Sequence, residues 1–249
     1  MTAALALKTI LAGREDLPPH HHVPRHRHLQ PYAIVLIDGQ FDQVSYAGRV
    51  RVAAGELLVQ PTLDAHANHM PGGRGARILR LPWADVDGLG GVYALTDLDA
   101  IVRAAERDVR EAGALARTQC VPARRRTPAT DLPDLLAAAL VAGDVASLAG
   151  WSAQRGVARE TVARGFSTAF GVSARQFRAE LKARDAWLRI VRTPDSLAAI
   201  AAAAGFADQA HMTRGVRALT GAAPAAWRRD RRASEFRRAG GYTAAARGR

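Results

Sequence analysis

Ser147-Leu148-Ala149-Gly150-Trp151-Ser152-Ala153-Gln154-Arg155-Gly156-Val157 recurs 49 residues later as Ser196-Leu197-Ala198-Ala199-Ile200-Ala201-Ala202-Ala203-Ala204-Gly205-Phe206. The serine, the leucine, two alanines and the glycine return in register. Trp151/Ile200 and Val157/Phe206 return as large apolar side chains. Each copy reads as a short helix that stops at a glycine, followed by a second helix with a polar face. That is the outline of a helix-turn-helix, which places a helix in the major groove of DNA. A chain that builds it twice is expected to read two successive grooves.

Bulk composition agrees with this reading. The chain has 249 residues and a formal net charge of +12, long enough for two modest domains with a core each. The excess charge is not spread evenly. Residues 1–96 hold nine Lys/Arg against eight Asp/Glu, and residues 131–249 hold nineteen against ten. The basic half therefore coincides with the repeat, as expected of a part that meets a polyanion. Cys120 is the single cysteine, so an intramolecular disulfide is excluded and a reducing compartment fits. Met1 to Gly13 carries Lys8 inside a short apolar run and does not read as a secretory leader. No stretch reaches the length of a membrane span. The expectation is a soluble cytoplasmic protein.

From Tyr32 to Pro82 the pattern changes to short β-rich runs between turn residues. Strands are expected at Tyr32–Ile37, Phe41–Tyr46, Arg49–Val52, Glu56–Gln60 and Ala76–Leu81, a spacing that suits an all-β sandwich or barrel. Seven of the eight histidines fall within residues 20–69. His20, His21 and His22 read as an exposed loop. On an extended segment His26 and His28 point to one face, and with His66 they make a candidate open metal or ligand site. This stretch resembles a small cupin jelly roll. His26, His28, Tyr32 and Gly39 follow its first motif, with Tyr32 where a glutamate belongs. Gly55, Pro61, Leu63, His66 and Met70 follow its second, without one glycine and the asparagine. The resemblance implies a metal or ligand site at His26, His28, Tyr32 and His66, with a divalent metal as its candidate cofactor and Tyr32 a poorer ligand than a carboxylate.

Asp97 to Arg117 places Leu98, Ile101, Val102, Ala105, Val109, Ala112 and Leu115 three and four apart, the mark of one amphipathic helix. Its stripe would pack on the β domain or join a second copy of the chain. Residues 121–130 read as a linker. A helix from Asp131 to Val141 opens the last domain. In the first reading helix Val162, Phe166 and Phe170 are expected inside, with Glu160, Thr161, Ala163 and Arg164 outside. A helix from Ser173 to about Val191 spans ~27 Å, against roughly 34 Å for one turn of B-DNA, so it suits two readers in neighbouring grooves. In the second reading helix Asp208 is the expected N-cap, Met212, Val216 and Leu219 the buried stripe, and Gln209, His211, Thr213, Arg214 and Arg217 the outer face.

This half resembles the DNA-binding domain of the AraC/XylS family of bacterial transcription regulators. Gly205-Phe206, Asp208-Gln209, His211, Thr213-Arg214, Gly221, Pro224 and Trp227-Arg228 carry its second motif. Leu148-Ala149, Gly156-Val157, Arg164, Phe166 and Gly171 carry the first. The resemblance implies seven helices and base-reading positions at Glu160, Ala163, Arg164, Gln209, His211 and Arg214. Arg pairs with guanine, Gln with adenine, and Glu accepts from cytosine. Arg159, Arg175 and Arg217 are the phosphate candidates. Two departures stand out: Met212 and Val216 replace aromatic residues, which predicts looser packing, and Gly165 weakens the first reading helix.

The fold class expected is thus α+β, a cupin-like β jelly roll followed by an all-α double helix-turn-helix domain. The expected bounds are 1–96 for a sensor, 97–130 for a connecting helix and linker, 131–229 for the DNA-binding domain and 230–249 for a basic tail. The expected function is sequence-specific transcription regulation controlled by a small ligand or metal. Its expected partners are promoter DNA, a small-molecule effector, a second copy of the chain and, for an activator, RNA polymerase. The competing expectation is a cupin metalloenzyme with an appended nucleic-acid domain, which needs a metal with a free coordination position.

Overall fold

A computed structural model describes residues 12–84, 90–123 and 131–230. The basic tail, most of the linker and nearly all of Met1 to Gly13 lie outside those residues. The N-terminal part is a sandwich of two antiparallel sheets. The first contains β1 (Gly13–Leu17), β3 (Tyr32–Asp38), β6 (Glu56–Gln60), β8 (Ala76–Pro82), β9 (Val92–Leu95) and β10 (Cys120–Pro122), in the order β1-β8-β3-β6-β9-β10. The second contains β2 (His22–His26), β4 (Gln40–Ser45), β5 (Gly48–Ala53) and β7 (His66–His69), in the order β2-β7-β4-β5.

Strand alternation explains why both faces of the first sheet are apolar. Tyr32, Ile34 and Leu36 of β3 join Leu17, Phe41, Val52, Leu58, Met70 and Ile78 between the sheets. Ala33 and Val35, pointing the other way, join Leu57, Val59, Leu79 and Leu81 beneath two helices. A strand covered on both faces loses the polar-apolar alternation, which is why β3 reads as a continuous apolar run.

Those helices are α1 (Leu98–Arg107) and α2 (Val109–Gln119). The single helix expected over Asp97–Arg117 is therefore two. Asp108 breaks it: its backbone is extended (φ −154°), and its carboxylate accepts from Arg110 N at 2.8 Å as the N-cap of α2. Ile101, Ala104, Ala112 and Ala116 lie in the core against the sheet, so the apolar stripe is covered within the chain. Five strands escaped the sequence reading. β1, β2 and β7 are short and polar, and β9 and β10 pair across two intervening helices. One of them, Cys120–Pro122, takes in Val121 and Pro122, which were expected to open the linker.

The C-terminal part holds α3 (Leu132–Ala142), α4 (Leu148–Ala153), α5 (Arg159–Phe170), α6 (Ala174–Arg192), α7 (Leu197–Ala203) and α8 (Gln209–Thr220), and residues 224–230 are also helical. That makes seven helices among the described residues of the C-terminal part, the number the resemblance implies. By compactness the chain divides within α6: one unit runs through Phe177 and the other begins at Arg178. The first unit thus joins the sandwich to α3, α4 and α5.

Gly165, in the middle of α5, has room for a side chain, since an added Cβ would meet only Pro133 Cγ at 3.7 Å. Gly75 has none, because an added Cβ would stand 2.1 Å from the Leu17 carbonyl oxygen. Gly165→Ala is expected to stabilise the chain by about 0.5–1 kcal/mol, and Gly75→Ala to destabilise it by about 1–3 kcal/mol. Urea midpoints of the two variants check this.

Candidate DNA-reading helices and a histidine-lined cavity

The two copies of the repeat share their first helix and their turn. Ser147 Oγ accepts from Gly150 N at 3.0 Å, and Ser196 Oγ from Ala199 N at 3.1 Å, so each serine is an N-cap. The N-terminus of α7 therefore falls at Ser196, one residue after the Pro-Asp pair. Trp151 and Ile200 are buried. Gly156 and Gly205 sit at φ +63° and +71°, a region that only glycine enters without cost. There Val157 N bonds Ser152 O and Phe206 N bonds Ala201 O, the same six-residue closure at both helix ends.

Beyond the glycine the interval changes. The turn before α5 caps with Ala158, which offers no side-chain bond. The turn before α8 is one residue longer and caps with Asp208, whose carboxylate accepts from His211 N at 2.6 Å. Structurally equivalent positions are therefore 50 apart: Arg164 with Arg214, Gly165 with Gly215, Val162 with Met212 and Phe166 with Val216. The arginines align, and His211 stands opposite Thr161 instead of Glu160.

Arg159, Glu160, Thr161 and Arg164 are exposed on α5, with Ala163 half-buried. On α8, Gln209, His211, Arg214 and Arg217 are exposed and Thr213 is half-buried. Val162, Phe166 and Phe170 face inward, as do Met212, Val216 and Leu219. The looser second reader is not found. Met212 and Val216 are wholly buried. Gly215 lets the Phe206 ring come so close that an added Cβ would lie 3.2 Å from it. Thr220, at the position of Phe170, receives a bond from Trp227 Nε1 at 2.8 Å. Arg159 bonds Glu160 Oε1 at 3.1 and 3.0 Å through two nitrogens. The Glu160 carboxyl is held below its usual range first by its own backbone N–H and then by Arg159. This exposed pair is weak.

In the sandwich, the structure brings His26, His28, Tyr32 and His66 together. His26 and His66 are cross-strand partners between β2 and β7, and their rings are 4.4 Å apart. His28 lies 4.9 Å from His26 and 5.0 Å from Tyr32. All three histidines are buried, and ligand nitrogens from all three lie within 4.8 Å of one another. Nδ1 of His26 donates to the Pro24 carbonyl at 2.8 Å, and Nδ1 of His66 to that of Asp64 at 3.0 Å. Such bonds orient an imidazole with its Nε2 lone pair available. Tyr32 directs its hydroxyl at His66 Nε2, 3.2 Å away. Burial, and then the nearby Asp64 carboxylate, push the Tyr32 phenol above its ordinary range, so it acts as a neutral donor. Three imidazoles whose Nε2 lone pairs are free would fit a divalent ion at ~2.0–2.1 Å per bond once the rings close slightly and Tyr32 yields His66.

A cavity of about 260 Å³ opens beside this cluster, lined by His21, His26, His28, Tyr32 and Asn68, with Glu15 and Arg80 paired at one side. His66 lies behind it. Sequence reasoning missed His21, which leaves the exposed loop expected of it to line the cavity, and Asn68. Asn68 shares the inner face with His66 by alternation, and its Oδ1 is buried without a hydrogen-bond partner. That alternation was a signal available in the sequence.

Residues 151–230 match the family described as helix-turn-helix domain. Among curated proteins none matches the chain. Similar solved structures include ToxT from Vibrio cholerae O395, at 9% identity over 87% of this chain and 96% of that one, with a TM-score of 0.39. An AraC-type transcriptional regulator from Chromobacterium violaceum is 25% identical over 34% and 76%, with a TM-score of 0.32. A mutant salicylate 1,2-dioxygenase from Pseudoaminobacter salicylatoxidans is 26% identical over 28% and 20%, with a TM-score of 0.27. The capped first helices and the family match mark residues 151–230 as a helix-turn-helix domain. Its helix-turn-helix domain is of the AraC type, preceded by a two-sheet β-sandwich. Among the described residues no helix is long and apolar enough to cross a membrane.

Burial, followed by the charges of His26 and other neighbours, holds His66 well below its usual range. The unfolded state titrates near pH 6.5, so above that value both states are neutral there. Below it the unfolded chain takes up a proton that the folded chain refuses, and stability falls. Urea midpoints are expected to be flat from pH 8 to 7 and to drop below pH 6.5, with His66 contributing at most about 1.4 kcal/mol per pH unit. His66→Asn should remove that one-proton slope.

Proposed function

We propose that this is a ligand-responsive transcription regulator, in which residues 1–96 sense a small effector and residues 131–229 bind promoter DNA. Residues 97–130 connect the two, and 230–249 add nonspecific affinity for phosphate. The observation that carries the reading is the pair of equivalent helices α5 and α8 within the matched domain, each with an arginine at the same exposed position, Arg164 and Arg214. Arg164, Glu160 and Ala163 read bases on one side of the site, with Thr161 beside them. Gln209, His211 and Arg214 read the other, with Thr213 beside them. Arg159 and Arg217 hold phosphates. Because the outer faces differ, the site is asymmetric. A second copy of the chain is the partner proposed for longer operators, and RNA polymerase is the partner if the output is activation.

The effector site is the histidine-lined cavity. At about 260 Å³ it falls below the ~300 Å³ of the smallest drug-sized pockets, so it suits a small polar molecule or a metal ion with its own ligand. His26, His28 and His66 would hold a divalent ion, and Asn68 Oδ1 would accept a bond from whatever accompanies it. Such an ion supplies a Lewis-acidic site that draws a small anion.

Gel shifts on fragments upstream of the chain's own gene and its neighbours, repeated across salt, test the DNA reading. Arg214→Ala is expected to cost about 1–3 kcal/mol and relax specificity, while Arg217→Ala weakens all sequences alike and lowers the salt slope by about one. Binding that never exceeds the nonspecific level on any fragment overturns the proposal. Zinc titration by calorimetry tests the cavity: one ion per chain is expected, lost in His26→Ala, and no heat from the wild type rejects metal as the effector.

A further inference from the structure

The four-stranded sheet has an outer face as well as the inner one that carries the histidines. In the β4–β5 ladder Val50 and Val52 pair with Gln43 and Phe41, and Arg49 pairs with Val44. Val52 and Phe41 belong to the core, so alternation turns Arg49 outward. Its guanidinium meets the start of α3. Nε bonds Asp134 Oδ1 at 3.0 Å, Nη2 bonds Asp134 Oδ2 at 2.6 Å, and Nη2 also bonds Asp131 Oδ2. Asp131 is the N-cap of α3, and Asp134 lies in its first turn. A two-pronged arginine–carboxylate pair fixes direction as well as distance. The Asp134 side chain is only 10% exposed, which separates this pair from the loose ones of open surface.

A second link lies beside it. Tyr46, one residue beyond β4, is buried and meets Phe177 edge to face at 5.3 Å. Phe177 packs on Phe166 at 5.3 Å and on Phe170 at 5.4 Å, which form the buried side of the reading helix α5. Tyr46 N donates to Asp64 Oδ1 at 3.2 Å. The carbonyl of that same Asp64 takes the Nδ1 bond of His66. Two residues, Asp64 and Tyr46, therefore connect an imidazole of the histidine cluster to Phe177, the ring against the first reader.

We infer that the sandwich grips the first reader, α3 to α5, through Arg49 and Tyr46, and that a change at His66 reaches α5 through Asp64 and Tyr46. The first reader is then the regulated one of the pair. The link to an effector rests on the cavity reading proposed above, whereas the grip itself does not.

Hydrogen exchange on the full-length chain separates the two. Arg49→Gln is expected to speed exchange of α3 and α5 amides tenfold or more, with α8 as the internal reference unchanged. The charge-swapped pair Arg49→Asp with Asp134→Arg should restore most of the protection, which general destabilisation would not. His66→Asn should alter α5 exchange in the wild-type background, keep that effect in Tyr46→Phe, which retains the ring and the backbone N–H, and lose it in Arg49→Gln combined with Tyr46→Leu. Phe177→Leu takes the place of Tyr46→Leu in the combined variant if the latter does not fold. Equal α5 protection in wild type and Arg49→Gln overturns the grip. An effect of His66→Asn that persists in the combined variant overturns the route. Zinc added to the wild type should change α5 exchange in the same way. If calorimetry shows no zinc binding, the metal reading falls while the variant arms still decide the grip and the route.

Discussion

The pleat of one four-stranded sheet places the histidine cluster and the contact with α3 on opposite sides of a single layer of backbone. Successive side chains must point to opposite faces. His66 and Asn68 of β7 therefore turn inward to the cavity cluster, and Arg49 of β5 turns outward to α3. Neither position can be moved by one residue without sending every side chain of its strand to the wrong face. The remaining architecture serves this layer. The six-stranded sheet closes the core opposite it, and α1 and α2 cover that sheet from behind.

Burial decides the chemistry inside. Desolvation keeps His66 neutral and the Tyr32 phenol protonated, so these two groups meet as an acceptor and a donor in place of charges. Backbone carbonyls at Pro24 and Asp64 set the direction of two rings. A carboxylate at the position of Tyr32 would have supplied a charged ligand. The tyrosine supplies a hydrogen-bond donor instead, which leaves the charge of any bound cation to be balanced by Asp64 nearby or by a ligand from outside.

The two readers illustrate how a repeat keeps a scaffold and changes a detail. Serine caps, buried Trp151 and Ile200, and the left-handed glycines recur at 49 residues. One inserted residue then gives α8 an aspartate cap that α5 lacks, and shifts the equivalent helix positions to an interval of 50. The cores diverge too. Phe166, Phe170 and Phe177 with Val162 support α5, while α8 rests on Met212, Val216 and a Trp227–Thr220 bond.

The repeat, the charge split and the apolar runs of β3, β6 and β8 were legible because each is a local pattern: caps, turn glycines and side-chain period. Five strands were not. β2 and β7 carry polar residues toward the cavity, and β9 and β10 owe their strand form to a partner brought back by α1 and α2. The break at Asp108 was hidden within a stripe that stays in phase across it. His26, His28 and His66 could be nominated from the chain, but only the ladder between β2 and β7 sets their rings 4.4 Å apart at the closest. By itself the sequence determined that two unequal helix-turn-helix copies follow a β domain with clustered histidines, because those features are written in neighbouring residues. Only the tertiary structure decided that Arg49 meets Asp131 and Asp134, and that Tyr46 lies between His66 and the first reader. Those contacts join residues 82 or more positions apart in the first case and from separate folding elements in the second, so no local pattern encodes them.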